Sequence, residues 1–329
     1  MQPLTAYPTL KMRYYLFVAL LSWVPTIHGT SQLYPIYDKI VDCLAISGVP
    51  QDFPDTDTFT QNILPYNLRL NFTPVALAVP STVSQVQSAV LCAAELGVKV
   101  NPRSGGHSYA SHSIGGEDGH LIVDLRYFRE TTVDPATNIA TIGPGARLGN
   151  VALDLFAQGG RALAHGLCPG QVISPSLLRN LTNHHARVGI GGHVLHGGQG
   201  YSSHTYGLLL DFLIEAEIVL ATGDIATTSE TQNPDLFWAL RGAGMSFGIV
   251  TSLKFSTFEA PPENVLFYYP YYWNQTQARA GWDAWQEYCG GFTSPQIPPE
   301  LNIRWLIAII DGVIIFLLGK HRISLLLCI

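Results

Sequence analysis

Charged residues are scarce in this 329-residue chain, at 13% of the total, and its basic residues form no cluster. The 18 Lys and Arg residues face 24 Asp and Glu residues, which gives a net charge of −6. A nucleic-acid-binding protein needs a basic face that neutralises phosphates, so this composition excludes that class. Hydrophobic residues make up 47% of the chain, which also excludes a disordered or acidic solvating segment.

The chain has no apolar run of the length that spans a bilayer, about 20 residues. Its C-terminal apolar run, residues 305–318, is shorter, so we expect no membrane anchor. Near the N-terminus, Arg13 precedes an apolar stretch at residues 14–24, and the small residue Gly29 follows. This order predicts a secretory signal peptide over residues 1–29 and an extracellular protein, although a buried N-terminal helix is the alternative.

The length exceeds that of one ordinary domain and fits about two. A buried strand at residues 75–79, a helical pattern that ends at Gly97 and a short strand at residues 98–100 predict a β-α-β unit. A hairpin is predicted over residues 214–228, and the aromatic-rich stretch after Pro261 indicates a second domain. No internal repeat is visible. The predicted fold class is α+β.

The first candidate site is the loop at residues 101–108, which reads Asn-Pro-Arg-Ser-Gly-Gly-His-Ser and follows a strand. Successive Gly and Ser residues let backbone N–H groups converge on one point, which suits a pyrophosphate, and Arg103 adds positive charge. Alone, the loop is equally compatible with a glycine-rich turn whose His107 lies on the surface.

The second candidate is the glycine-rich segment 189–201. So many glycines indicate backbone pressed against a flat or phosphorylated ligand. The segment does not follow the G-x-G-x-x-G pattern after a strand, and the sequences at Gly143 and Gly242 lack its third glycine. A Rossmann-type dehydrogenase is therefore disfavoured.

A zinc site in the same segment is a weaker alternative. His193 and His196 are three residues apart and His204 follows, so the three could supply zinc ligands. The surrounding glycines would hold them loosely, however, and no carboxylate is placed to orient them.

The cysteine count is odd: Cys43, Cys92, Cys168, Cys289 and Cys328. In a secreted protein, cysteines usually pair as disulfides, so at least one of these five does something else. Cys168 lies in the third candidate segment, His-Gly-Leu-Cys-Pro-Gly at residues 165–170, where half of a disulfide is the ordinary interpretation.

Taken together, these motifs resemble the FAD-linked oxidases of the berberine-bridge and glucooligosaccharide-oxidase type. The resemblance is carried by Arg103-Ser-Gly-Gly-His107, the Cys168 segment, Gly191-Gly-His-Val-Leu-His-Gly-Gly and Phe237-Trp-Ala-Leu-Arg-Gly-Ala-Gly. It covers about residues 36–300 and is specific because the motifs occur in combination.

The resemblance implies a PCMH-type FAD-binding domain built of two subdomains, followed by a substrate domain with an antiparallel sheet. The implied boundaries are residues 30–66 for an N-terminal segment, 67–258 for the FAD-binding domain, 259–304 for the start of the substrate domain and 305–329 for an atypical apolar tail.

The resemblance also implies a bicovalent cofactor. His107 matches the histidine bonded to the flavin 8α carbon, and Cys168 matches the cysteine bonded to flavin C6. Tyr109 is placed as a substrate contact, and Cys43 with Cys92 as a structural disulfide, which leaves Cys289 and Cys328 unassigned. The other residues assigned to FAD are Arg103, Ser104, Gly105, Gly106, Ser108, Gly143, Gly189, Gly191, Gly192, His193, Gly197, Gly198, Gly200, Tyr201 and Ile249.

The reaction implied by the resemblance is the oxidation of an alcohol, often the anomeric hydroxyl of a sugar or oligosaccharide, with O2 as acceptor and hydrogen peroxide as product. The hydroxyl proton needs a general base, which in the family is a tyrosine of the C-terminal part. The sequence as given stops before that part, so we expect a truncated chain of doubtful activity, acting as a monomer. The alternatives are a secondary-metabolite oxidase and a flavin-binding remnant without turnover.

Two stretches depart from the family pattern. Without residues 171–187 the sequence reads Cys-Pro-Gly-Val-Gly-Ile-Gly-Gly-His, the uninterrupted family motif. We therefore expect a retained intron there and read-through past a splice site in the apolar tail. A genuine loop insertion and a genuine short isoform are the alternatives, and long structureless loops in compact domains are uncommon.

Overall fold

A computed structural model describes residues 34–54, 56–166, 188–200, 202–262, 265–288, 301–310 and 313–322. The predicted signal peptide, Cys168, residues 171–187, Tyr201, Cys289 and Cys328 lie outside these residues. Within the described part of the chain, no helix has both the length and the apolar character needed to cross a membrane.

The helices and strands alternate irregularly along the chain, as expected for the α+β class. The helices are α1 (Tyr34–Ile46), α2 (Phe59–Asn62), α3 (Val83–Leu96), α4 (Leu148–Ala157), α5 (Ile190–Val194), α6 (Ser203–Tyr206), α7 (Pro234–Ala243) and α8 (Gln275–Tyr288). The strands are β1 (Gln51–Asp52), β2 (Ala76–Ala78), β3 (Val100–Arg103), β4 (Leu121–Asp124), β5 (Thr131–Val133), β6 (Ile139–Ile142), β7 (Arg161–Ala162), β8 (Leu213–Val219), β9 (Ile225–Ser229), β10 (Ile249–Ser256), β11 (Phe258–Glu259), β12 (Val265–Trp273), β13 (Leu301–Ile310) and β14 (Val313–Arg322).

The first subdomain contains the predicted β-α-β unit, formed by β2, α3 and β3. Helix α3 begins where the Thr82 hydroxyl accepts a hydrogen bond from the Gln85 backbone N–H at 3.2 Å. It ends at Gly97, whose φ of 66° is left-handed and favours glycine. Strand β4 lies between β2 and β3 and runs parallel to both, so the sheet order is β1-β2-β4-β3.

The second subdomain is built on an antiparallel sheet of order β5-β6-β10-β8-β9. The predicted hairpin is present as β8 and β9, which pair from Glu215 with Ser229 to Val219 with Ile225. Its core side chains come from this sheet, from α4 and α5 and from Phe237 and Leu240 of α7. Both subdomains therefore bury a hydrophobic core of their own.

The two subdomains share one packed boundary. Val219 of β8 and Ile249 of β10 belong to the same hydrophobic cluster as the buried face of α3. Helix α1 packs on this cluster through Ile40 and Leu44, and a disulfide joins its Cys43 to Cys92 of α3. The N-terminal segment is thereby fixed to the first subdomain.

A third sheet, of order β12-β14-β13, follows the second subdomain together with α8. Strands β13 and β14 form an antiparallel hairpin that pairs from Leu301 with Arg322 to Ile310 with Val313. The antiparallel sheet therefore extends past residue 304, where the sequence predicted the start of an atypical tail. Ile, Val and Leu residues dominate this stretch. The β-branched residues Ile and Val favour β-strands, so the composition that indicated an apolar tail also fits the observed strands.

Candidate cofactor site

A cavity of about 580 Å³ lies between the two subdomains. One wall is the loop after β3, residues 104–109, and the opposite wall is the segment 188–196 with α5. Val250 of β10 and Gly248, which precedes that strand, contribute the third side. This volume falls in the range of roughly 300–1,000 Å³ that is usual for small-molecule sites. The structure thus brings together the first two candidate segments, which are some 80 residues apart in the chain.

The two walls touch at a pair of glycines. A Cβ atom added to Gly189 would collide with the Ser104 hydroxyl and the Gly105 backbone, and one added to Gly105 would collide with the backbone of Gly189. Arg147 supports the contact by donating from Nη1 to the Ser104 carbonyl oxygen at 3.0 Å. Glycine is required at both positions because any side chain would separate the walls.

His107 lies at the rim of the cavity beside two tyrosines. The Tyr66 ring stacks on its imidazole with centroids 4.6 Å apart and planes 28° from parallel. Tyr109 meets Tyr66 edge-on at 5.4 Å and is 76% exposed. The neighbouring Tyr109 hydroxyl raises the pKa of Tyr66, and partial burial raises it further. Tyr66 is therefore uncharged across the neutral pH range.

His193 lines the same cavity from α5. Its ring leaves no room for a side chain at Gly166, where a Cβ atom would lie 2.6 Å from His193 Cε1. Burial, followed by the charge of His165, lowers the pKa of His193 to about 4, so the imidazole is neutral at physiological pH. Its Nε2 atom is buried and has no hydrogen-bond partner within the described residues. A polar group of a ligand would satisfy that nitrogen.

Several residues that the sequence assigned to the cofactor lie elsewhere. The guanidinium of Arg103 forms a buried ion pair with Asp124 instead of adding free positive charge to the loop. Gly143 packs against the Phe128 carbonyl group, because a Cβ atom there would collide with it. Gly197 and Gly200 do not line the cavity either, and a Cβ atom on Gly200 would collide with the His165 backbone.

Ile249 lines a second, largely apolar cavity of about 290 Å³. Val90, Val98 and Val219 form other parts of its wall, and it shares Pro102, Met245 and Gly248 with the first cavity. The two cavities are therefore adjacent. No local pattern pointed to Met245 or Gly248, because they reach the cleft only when the two subdomains pack together.

The three histidines considered as zinc ligands do not form a metal site in the part of the chain that the structure covers, where no three His, Cys, Asp or Glu side chains converge. His196 Nδ1 instead lies 2.8 Å from the Gly192 carbonyl oxygen, one turn earlier. The remaining predicted residues on the cavity are Ser104, Gly105, Gly106, Ser108, Gly191, Gly192 and Gly198.

Comparisons with known proteins show what the chain is similar to. Residues 74–229 match the family model described as an FAD-binding domain. The xylooligosaccharide oxidase of Thermothelomyces thermophilus is 48% identical over 270 residues, which are 81% of this chain and 50% of that protein. The chitooligosaccharide oxidase of Gibberella zeae is 43% identical, with 81% and 50% covered. The chain thus spans about half the length of the curated relatives it matches.

Solved structures give the same result. The xylooligosaccharide oxidase from Myceliophthora thermophila C1 in complex with xylobiose superposes with a TM-score of 0.73 at 45% identity, covering 87% of this chain and 56% of that one. The berberine-bridge-like protein 1 of Physcomitrella patens gives a TM-score of 0.73 at 34% identity, covering 87% and 57%. The predicted fold class is confirmed. Residues 74–229 belong to the FAD-binding domain family, and the chain is similar to oligosaccharide oxidases and berberine-bridge-like proteins.

Proposed function

We propose that this protein is a secreted FAD-dependent oxidase that converts the anomeric hydroxyl of an oligosaccharide to a lactone, with O2 as acceptor and hydrogen peroxide as product. The observation that carries the proposal is the cavity in which the two glycine-rich walls meet, with His107 at its rim. Relatives named as xylo-, chito- and glucooligosaccharide oxidases, each at least 42% identical, support a sugar substrate.

The residues present fit FAD. Gly105 and Gly189 hold the two walls in contact, and Gly192 leaves open space on the cavity that a side chain would fill. The orphaned Nε2 of His193 offers one hydrogen bond to a flat polar ring. The apolar second cavity beside Ile249 suits an adenine. In this placement the loop at residues 104–108 binds the pyrophosphate through backbone N–H groups, without the charge of Arg103.

We place the flavin ring beside His107, which would bond to its 8α carbon, with Cys168 bonded to C6. The glucooligosaccharide oxidase of Acremonium strictum, a relative of solved structure, carries this pair of links as 6-S-cysteinyl, 8α-N1-histidyl FAD. His107 would hold the flavin through an imidazole nitrogen on the 8α carbon. This bond would replace one imidazole hydrogen and one hydrogen of the 8α methyl group, and O2 would accept the two electrons and two protons as hydrogen peroxide.

In the reaction itself, bound FAD would supply a hydride acceptor that O2 reoxidises. Tyr109 is exposed at the rim, so its ring is free to lie against a sugar entering the cavity. His193 is neutral and its buried Nε2 lacks a hydrogen-bond partner among the described residues, so this nitrogen can accept or donate a hydrogen bond to a ligand group. We assign no general base among the described residues.

Secretion belongs to the same proposal. The predicted signal peptide places the chain in an oxidising compartment, where disulfides persist. The Cys43–Cys92 disulfide supports that location because cytosolic proteins rarely keep such a bond. The proposed oxidase would then hold its cofactor by covalent bonds in a medium that contains no free flavin to replace it.

A second candidate is a secondary-metabolite oxidase. The FAD-linked oxidoreductase dpmaF of Metarhizium anisopliae is 43% identical over 82% of this chain, as similar as the chitooligosaccharide oxidase. The cofactor does not separate the two functions, since covalent flavin serves both. A peroxide assay with xylo-, chito- and cello-oligosaccharides separates them, because only a sugar oxidase responds.

The test begins with the purified 329-residue chain loaded with FAD. We expect yellow protein whose flavin stays in the acid-precipitated pellet, on the tryptic peptides 104–126 and 162–179, which contain His107 and Cys168. His107→Ala should leave flavin on the second peptide alone. A colourless protein rejects the proposal, whereas bound flavin that no sugar bleaches supports a remnant without turnover.

We further propose that codons 171–187 of this sequence are a retained intron that is absent from the mature transcript. Sequencing the mature transcript across codons 165–195 tests this directly, and the codons for residues 171–187 should be absent. Peptide 162–179 detected in protein from the native source, with Gln171 to Arg179 present, would contradict the proposal.

A further inference from the structure

The segment between α2 and β2 holds the loop that carries His107 from outside the cavity. Tyr66 stacks on the His107 imidazole, and one residue later Asn67 donates from Nδ2 to the Tyr109 carbonyl oxygen at 2.7 Å. The Asn67 amide is itself fixed, since its Oδ1 accepts from the Arg69 backbone N–H at 3.2 Å. Tyr66 and Asn67 lie outside residues 74–229, which match the FAD-binding domain model.

The last residue of α2 adds a contact below the loop. The Asn62 carbonyl oxygen accepts a hydrogen bond from the guanidinium of Arg103, the last residue of β3. The loop is therefore contacted at its base by Asn62, at His107 by Tyr66 and at Tyr109 by Asn67. Tyr66 is 40% exposed and lines a groove on the outer surface, not the cavity.

The loop itself provides little restraint on the direction of the imidazole. Gly105 and Gly106 precede His107, and Gly106 has a left-handed φ of 77°. Glycine has the largest backbone freedom of any residue, so the direction of the peptide before His107 depends on contacts, such as the hydrogen bond from the Ser113 hydroxyl to the Gly106 carbonyl oxygen at 3.4 Å. The Tyr66 ring, stacked on the outer side of the His107 imidazole, restricts the rotation of that imidazole. The Asn67 amide, hydrogen-bonded to the Tyr109 carbonyl oxygen, restricts the backbone that follows His107.

We propose that Tyr66 and Asn67 are positioning residues that orient His107 for its bond to the flavin. The inference rests on the proposed function, because it presupposes that His107 is the attachment site. The stack needs the aromatic ring of Tyr66 and not its hydroxyl group, so phenylalanine should serve equally well. The Asn67 contact needs the amide donor, so alanine should not replace it.

The experiment measures the rate of flavin attachment at each site separately. Apoprotein of the full chain is mixed with FAD, samples are quenched in acid, and flavin is quantified on peptides 104–126 and 162–179. Flavin on the Cys168 peptide is the internal reference, because it reports folding and binding but not the direction of the His107 ring. The variants are Tyr66→Leu, Tyr66→Phe and Asn67→Ala, and the control is Tyr127→Leu, which removes an exposed tyrosine that does not line the cavity.

We expect Tyr66→Leu to slow attachment at His107 between about two- and tenfold relative to the Cys168 peptide, the range that an aromatic pair contributes. Asn67→Ala should slow it as well, Tyr66→Phe should restore the wild-type rate, and Tyr127→Leu should not change it. An unchanged ratio in Tyr66→Leu, or equal slowing on both peptides, overturns the inference and leaves the proposed function intact. A wild-type chain that attaches no flavin to peptide 104–126 rejects both.

Discussion

Arg103 and Asp124 form an ion pair buried beneath the loop that carries His107. Arg103 Nε lies 2.7 Å from Asp124 Oδ2, and the two side chains are only 10% and 3% exposed. Arg126 donates to the same carboxylate oxygen at 2.8 Å. Burial alone would raise the pKa of Asp124, but attraction to Arg103 and the hydrogen bond and charge of Arg126 lower it below its ordinary value. The charge of Arg103 thus stabilises the fold at the base of the loop.

Asp124→Asn should destabilise the protein by about 3 kcal/mol, because it leaves the Arg103 guanidinium buried without a counter-charge. Equilibrium unfolding in denaturant measures the change. Glu117→Gln is the matched control: it neutralises a carboxylate of an exposed ion pair with Lys99 and should have little effect. If Asp124→Asn and Glu117→Gln lowered the free energy of unfolding equally, burial of the Arg103–Asp124 pair would not be the cause of the loss.

The lowered pKa of Asp124 predicts how the free energy of unfolding depends on pH. Its pKa is lower in the folded protein than in the unfolded chain, where it is about 3.9. The stabilisation is therefore complete above that value and is lost as the pH falls below about 4 towards the folded pKa. The wild-type protein should lose part of its advantage over Asp124→Asn in this range, and a constant difference in unfolding free energy down to pH 2 would count against the ion pair.

His193 predicts a second pH effect, at higher pH. Its pKa is about 4 in the folded protein, whereas an unfolded histidine titrates near about 6.5. Between these values the unfolded chain binds a proton that the folded one does not. Stability should therefore fall with decreasing pH by up to about 1.4 kcal/mol per pH unit from this group.

His193→Gln should remove that part of the slope when unfolding free energies are measured between pH 7 and pH 4. His165 stays in the variant, and because burial lowers its pKa too, some slope should remain. His204→Gln replaces an exposed histidine and serves as the control. A slope identical in wild type and His193→Gln would mean that His193 is accessible to protons in the folded protein.

Gly189 and Gly192 make a sharp comparison because both line the cavity but only one contacts the opposite wall. Gly189→Ala should destabilise the protein by about 1–3 kcal/mol, since the new methyl group collides with Ser104 and Gly105. Gly192→Ala should be neutral or stabilising by up to about 1 kcal/mol, since nothing lies within 4 Å of the added atom and α5 gains a better helix former. Thermal unfolding of both variants decides this, and equal midpoints would contradict the close contact.

Local signals account for what the sequence predicted correctly. Thr82 caps the start of α3 and Gly97 caps its end, and the hairpin of β8 and β9 turns at Gly223. Residues within or next to each element therefore account for it. The glycine-rich walls could also be found, because repeated glycine has few structural uses apart from close approach. The specific motif combination then identified the family.

Long-range contacts account for what the sequence could not predict. Arg103 pairs with Asp124 rather than with phosphate, and the two are 21 residues apart, brought together by neighbouring parallel strands. Tyr66 reaches His107 across 41 positions, from a segment with no regular pattern. Such contacts depend on how elements pack, and neither periodicity nor spacing encodes them.

The Cys43–Cys92 disulfide should carry a large share of the stability of the N-terminal segment. It closes a loop between residues 49 apart, and a crosslink of this length is expected to contribute about 4 kcal/mol by restricting the unfolded chain. The double variant Cys43→Ser, Cys92→Ser should therefore unfold at lower denaturant concentration, while a reductant should shift the wild type and leave the variant unchanged. Flavin attachment at His107 should persist below the new transition, because Tyr66 and Asn67 follow α1 in the chain and make their own contacts to the loop. Loss of attachment in a double variant that is still folded would mean that α1, and not the segment from Asn62 to Asn67, sets the position of the loop.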